Sequence, residues 1–220
     1  MPRPSQQLDR RLLAAGAALY PALGCAGLTV RRVAEHAGVR PAMLSYHFGD
    51  KAGFLAALLQ LRYEQLWQRL TRDDPADQRA VDRLRGALRR LAGFLREERA
   101  WVGRLLADAL AGEAAVLAFL QRNAPRHLGL LTQLMAEAEA AGDLAPMAPL
   151  QRFTMTMGAT AAPMLMLPAA LHLGLLPPAL AAQAGAQVLD EAAVDERIDV
   201  LLRALAPPPA PPPSRRRVAP

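Results

Sequence analysis

Tyr46, His47 and Lys51 fall within six residues of one another. Together they offer a phenol, an imidazole and an ammonium, groups suited to phosphate oxygens and base edges. Leu44 and Phe48 are four apart, so a helix turns both toward a core. Ala42, Met43 and Tyr46 then face outward, with Ser45 on the flank and His47 expected outward beside Tyr46. Lys51 begins the next helix, where its ammonium and the free backbone N–H groups would grip one phosphate. Arg40 is placed for a guanine edge or a phosphate, and Met43 for a thymine methyl.

Two short helices must carry these residues. Thr29 precedes the apolar spacing Val30, Val33, Ala34, Ala37 and is the expected N-cap of the first. Gly38 breaks that helix, and a glycine permits a positive φ there at little cost. Pro41 suits the first turn of the second, where a missing N–H costs nothing. A longer helix from Gln6 to Ala22 comes before, and Asp50 caps a fourth running toward Leu70. Two short helices around a glycine turn make a helix-turn-helix. The charge agrees: residues 1–70 hold nine Lys/Arg and four Asp/Glu, a net +5, on a chain of net +6. A basic head suggests a polyanion. Arg10, Arg11, Arg31 and Arg32 are weaker candidates for the same surface.

Residues 9–59 resemble the N-terminal domain of TetR-family transcriptional regulators. The string carrying the resemblance runs from Thr29 through Ala37-Gly38-Val39 and Tyr46-His47-Phe48 to Lys51 and Leu55. It implies an all-α fold: an N-terminal three-helix helix-turn-helix domain, then a C-terminal helical bundle for effector binding and dimerisation. It implies DNA contacts at Thr29, Arg40, Ala42, Met43, Ser45, Tyr46, His47 and Lys51. Arg40, Met43 and Ser45 depart from the residues common in the family, so the operator sequence does not follow from it.

The remaining chain matches that layout. It has 220 residues, 52% hydrophobic, 21% charged and only 5% aromatic, a helix-favouring Ala/Leu composition. We divide it into a head (1–70), a helical body (71–206) bounded by Asp73-Asp74-Pro75, and a Pro/Arg-rich tail (207–220) expected to be disordered. Body helices are expected at 81–95, 101–111, 113–141 with a kink or a break at Pro125, 149–173 distorted by Pro163 and Pro168, and 181–205. Residues 153–182 contain no Asp, Glu, Lys or Arg, but hydroxyls and prolines interrupt them, so they suit a subunit interface better than a membrane span. With the stripe Val194, Ile198, Leu201, Leu202 and Leu205 they would form a four-helix interface between two copies. Trp101, Asp108, His127, Met155, Met157 and Met164 are candidate lining of a pocket for a small, mainly apolar effector, with Glu113 a further polar candidate.

Several functions find no support. The single cysteine, Cys25, excludes an intramolecular disulfide and a multi-Cys metal site, and it lies in a small-residue turn without a basic neighbour. His127 and His172 lack partners at helical spacing, so neither a metal nor another cofactor is expected. No nucleophile–base pair or phosphate loop points to an enzyme. With no signal peptide, the expected location is cytoplasmic. The sequence therefore predicts a ligand-responsive repressor acting as a homodimer on a palindromic operator. The alternatives are an activator, an effector-independent regulator or a non-specific DNA-binding helical protein.

Overall fold

The computed structural model describes residues 4–72, 75 and 77–208. Arg215, Arg216 and Arg217 of the expected tail and the boundary residues Asp73 and Asp74 lie outside them. The described residues form ten α-helices and no strand. The head holds α1 (Pro4–Gly27), α2 (Val30–Ala37), α3 (Pro41–Phe48) and α4 (Lys51–Leu70). The body holds α5 (Ala80–Glu97), α6 (Arg99–Leu110), α7 (Ala114–Ala140), α8 (Pro149–His172), α9 (Pro178–Ala184) and α10 (Glu191–Leu205).

Local chemistry sets the head's boundaries. The Thr29 hydroxyl accepts a hydrogen bond from the Arg32 N–H (3.3 Å), capping α2, and Gly38 ends it at φ 65°. The Asp50 carboxylate accepts from the Gly53 N–H (2.7 Å), capping α4. A Cβ at Gly53 would lie 2.2 Å from the Phe48 carbonyl oxygen, so only glycine lets α4 start this close to α3. Leu44 is fully buried, and Phe48 meets Phe54 edge-to-face at 5.2 Å. These contacts fix α3 to the core formed by Leu12, Tyr20, Phe54 and Leu58.

The body departs from expectation in three places. Helix α7 is continuous through Pro125, so of the kink or break expected there the break does not occur, and α8 is continuous through Pro163 and Pro168. Buried residues on both sides of Pro125, Phe119 before and Leu131 after, hold α7 against α4 and α5; packing here overrides the lost backbone bond. The segment expected as one helix from 181 to 205 is instead α9, a π-helical turn at Gly185–Leu189, and α10. Asp190 restarts the chain there, its carboxylate accepting from the Glu191 N–H at 2.9 Å.

The third departure concerns the subunit interface. Val194, Ile198, Leu201, Leu202 and Leu205 are buried within the chain, where α10 lies on α5 and α8. Asp195 and Asp199 of α10 pair with Arg89 and Arg85 of α5, each at 2.9 Å. The stripe is therefore not free for a partner. What α8 leaves uncovered is a second stripe: Met155, Met166 and Leu173 lie exposed on one side of the helix, opposite the buried Thr156, Thr160 and Met164. Helix α8 is also the one described helix long and apolar enough to cross a membrane.

Candidate functional site

The outward surface of α3 is assembled as its spacing suggests. Arg40, Ala42, Ser45 and Tyr46 are exposed, Tyr46 at 80%, and Met43 is half-buried. His47 differs. Its side chain is 7% exposed and Nδ1 contacts the Asp9 carboxylate of α1. One residue beyond Tyr46 lies about 100° round a helix, and here that turn carries the imidazole into the seam with α1. His47 therefore anchors the recognition helix and is withdrawn from the outward set. Lys51 is half-buried, its Nζ 3.4 Å from the Ala26 carbonyl oxygen. The Asp50 carboxylate already takes the Gly53 N–H, so the helix end offers a phosphate fewer free donors than expected. Arg11 donates to the Ala37 carbonyl (2.6 Å) and Arg32 to that of Gly27 (3.1 Å), so both brace helix ends. Arg31 lies outside, paired with Glu35 at 2.7 Å.

A second feature lies in the body. An apolar cavity of about 230 Å³ is bounded by α4 to α8. Trp101, Leu105, Phe119, His127, Leu131 and Met157 are among its walls. Burial pushes the His127 imidazole below its ordinary value, so it is neutral at pH 7. Of the six expected lining residues, the structure brings three together: Trp101, His127 and Met157. Met155 points out on the exposed stripe of α8, and Met164 is buried away from the cavity in the core. Glu113 is also absent from the lining. A larger groove of about 780 Å³ runs between α4 and α5, but its walls include the ion pairs Arg69–Glu97 and Arg62–Glu98. It is an open, charged furrow and lacks the apolar lining of a ligand site.

Asp108 is the other expected pocket residue that lies elsewhere. It is buried where α6 crosses α1, and its carboxylate accepts from the Cys25 N–H at 2.8 Å. Arg104, one turn earlier, donates to the Pro21 carbonyl at 3.4 Å. Gly24 makes this approach possible: its φ is 62°, and a Cβ there would sit 2.8 Å from Asp108 Oδ1. Burial and the carboxylate push the Cys25 thiol up to about 12, so it is an inert buried group. Among the described residues no His/Cys/Asp/Glu group could hold a metal ion.

A sequence profile described as "Bacterial regulatory proteins, tetR family" matches residues 12–58, spanning the whole helix-turn-helix. The N-terminal domain belongs to the tetR family. Solved structures extend the likeness in fold to nearly the whole chain. A tetR-family regulatory protein from Rhodococcus RHA1 superposes with a TM-score of 0.68 at 16% identity, covering 91% of this chain and 97% of that one. The ketosteroid transcriptional regulator KstR2 of Mycobacterium tuberculosis gives 0.63 at 16% identity over 90% and 96%. The flavonoid-responsive regulator FrrA gives 0.63 at 20% identity over 91% and 95%. A search of curated protein sequences found no match.

Residues 12–58 thus carry a tetR-type helix-turn-helix, and the fold of the chain as a whole is like that of solved tetR-family regulators. Two parts of this architecture escaped the sequence. Asp9 gave no motif signal, because its partner His47 lies on another helix. Asp108 looked like a pocket residue, because nothing in the local sequence shows which side of α6 meets the head.

Proposed function

We propose that this regulator is a homodimeric repressor that releases a palindromic operator when a small, mainly apolar molecule enters the body. The observation that carries this is the double use of α6. Trp101 and Leu105, with Val102 and Leu106 beside them, wall the cavity; Arg104 and Asp108, on the adjoining stripe of the same helix, hold the bend of α1. A ligand that shifts α6 changes the seat of the head, and linkage makes ligand and operator binding oppose each other. The head, residues 1–70, supplies the contacts: Tyr46, Arg40, Ser45, Ala42 and Met43 toward base edges, Thr29 and Lys51 toward the backbone. The body, 71–206, supplies the cavity and the partner surface. Nothing in the site calls for a cofactor or for catalysis.

A twofold dimer supplies two α3 helices to two half-sites. The exposed stripe of α8 is the face for the second copy. Covering it in a dimer accounts for an apolar helix without a membrane and fits a cytoplasmic protein. One solved neighbour is named flavonoid-responsive, and the cavity gives this chain the means for a response of that kind.

Footprinting on the DNA flanking its own coding region tests the proposal. The expected result is a short, twofold-symmetric protected site bound by a dimer. Protection without sequence preference would overturn it, and higher transcription on binding would make the protein an activator.

A further inference from the structure

Helix α8 carries a defect near its middle, and α10 repairs it. Pro163 has no N–H to give the Ala159 carbonyl four residues back, and its ring crowds that carbonyl. Such a gap is where a helix kinks. It divides the exposed stripe of α8: Met155 lies before it, Met166 and Leu173 after it. Two copies can pack such a stripe closely only if its halves keep a fixed angle to each other.

The missing donor comes from Arg197 of α10. Its Nε donates to the Ala159 carbonyl at 2.6 Å, and its Nη1 donates to the Val188 carbonyl at 3.1 Å. Val188 stands near the end of the π-helical turn, where the last carbonyls have no helical N–H ahead of them. One guanidinium therefore serves two orphan carbonyls, and its planar fork ties α8, the π-helical turn and α10 together. Arg197 is half-buried, and among the described residues it has no carboxylate partner. Its Nη2 is buried without a hydrogen bond. A cation placed inside without an ion pair costs desolvation, and the bonds to the two carbonyls are what offset it.

We propose, building on the reading of α8 as the face for the second copy, that Arg197 is the positioning residue of that face. It replaces the hydrogen bond that Pro163 removes, and so keeps Met155 and Met166 on one surface. Loss of this bond should weaken the dimer more than the fold.

Sedimentation equilibrium of the full chain tests this in a cycle of wild type, Arg197→Met, Pro163→Ala and the double variant. Arg197→Met is expected to raise the dimer dissociation constant about tenfold or more, the equivalent of one hydrogen bond from a charged donor. Pro163→Ala gives the Ala159 carbonyl a donor from its own helix. That variant should dimerise as the wild type does, and Arg197→Met made in it should change the constant little. A loss of equal size with and without Pro163, or no loss in either, overturns the role of Arg197. A lower thermal transition of the dilute monomer with an unchanged dimer constant does so too, because Arg197 would then hold the fold and not the face. If Arg197→Met fails to fold, Arg197→Lys, which keeps one donor group, takes its place in the cycle. Met166→Asp separates the two levels. A dimer that Met166→Asp breaks and Arg197→Met leaves intact removes the role of Arg197 and keeps the face. A dimer that survives Met166→Asp removes the face and the proposal with it, and so does a wild-type chain that sediments as a monomer.

Discussion

Head and body hold their functions in different currencies. In the head, function is a set of side chains on a rigid short helix: Tyr46 stands out at 80% exposure because Leu44 and Phe48 point the other way. In the body, function is a space, and the residues around it come from five helices spread between positions 62 and 165. A short sequence string can specify the first. The second exists only after long-range packing, so single residues there mislead, as Asp108, Met155 and Met164 do.

The sharpest way to break this contrast is to place charge on the body's two apolar surfaces. Leu201→Asp puts a carboxylate into the chain's own core between α10 and its neighbours. It should unfold the body, at a cost of about 4–5 kcal/mol or more, the range of severe core substitutions. Met166→Asp lies on the exposed stripe of α8, 68% accessible in the single chain. It should leave the thermal transition of the monomer nearly unchanged and yield a monomer in sedimentation. If the effects were exchanged, Leu201 would belong to the subunit interface after all.

The junction between the two regions comes next in size. Asp108→Ala leaves the Cys25 N–H buried and unpaired, for a loss of about 1–3 kcal/mol seen as a lower urea midpoint. The coupling should suffer more than the fold. Ligand binding should persist in the variant while the ligand's effect on operator affinity shrinks. A variant that keeps full ligand response would show that the signal travels by another route.

What was legible follows the same division. Thr29, Gly38, Asp50 and the Leu44/Phe48 pair act over three or four residues, so pattern alone locates the caps, the turn and the recognition helix. An aspartate at 190 can cap a new helix, but the apolar spacing on either side of it reads as one continuous helix. Contacts across long separations were not legible. The Asp108–Cys25 bond joins residues 83 apart, and the seam that draws His47 inward depends on where α1 lies. Pro125 of α7 shows the converse: a local signal that allows a break, overruled by burial on either side.

Within the head, the salt dependence of operator binding separates contact from support. Lys51→Ala removes a cation at the proposed DNA face. It should weaken binding evenly across sequences and reduce the slope of log K against log salt by about one. His47→Ala should lower affinity and leave the slope unchanged, because the imidazole meets Asp9 and not a phosphate. Asp9→Asn should reproduce the His47 phenotype. A slope change for His47 would return it to the outward set.

The smallest expected effect tests whether the body's cavity is dry. Burial holds the folded-state value of His127 below its ordinary 6.5, whereas the unfolded chain titrates near that value. Between the two values the unfolded state binds more protons than the folded one. The fold therefore loses stability as pH drops below 6.5, until the folded-state imidazole itself takes up a proton. His127→Phe removes the site from both states. The melting temperature of the wild type should fall more between pH 7.5 and 5.5 than that of the variant, and the two should run parallel above pH 7.5. Parallel behaviour across the whole range would mean that His127 is hydrated in the folded protein. The cavity would then be a wet cleft, and the contrast between a head of contacts and a body built around an apolar space would lose its ground.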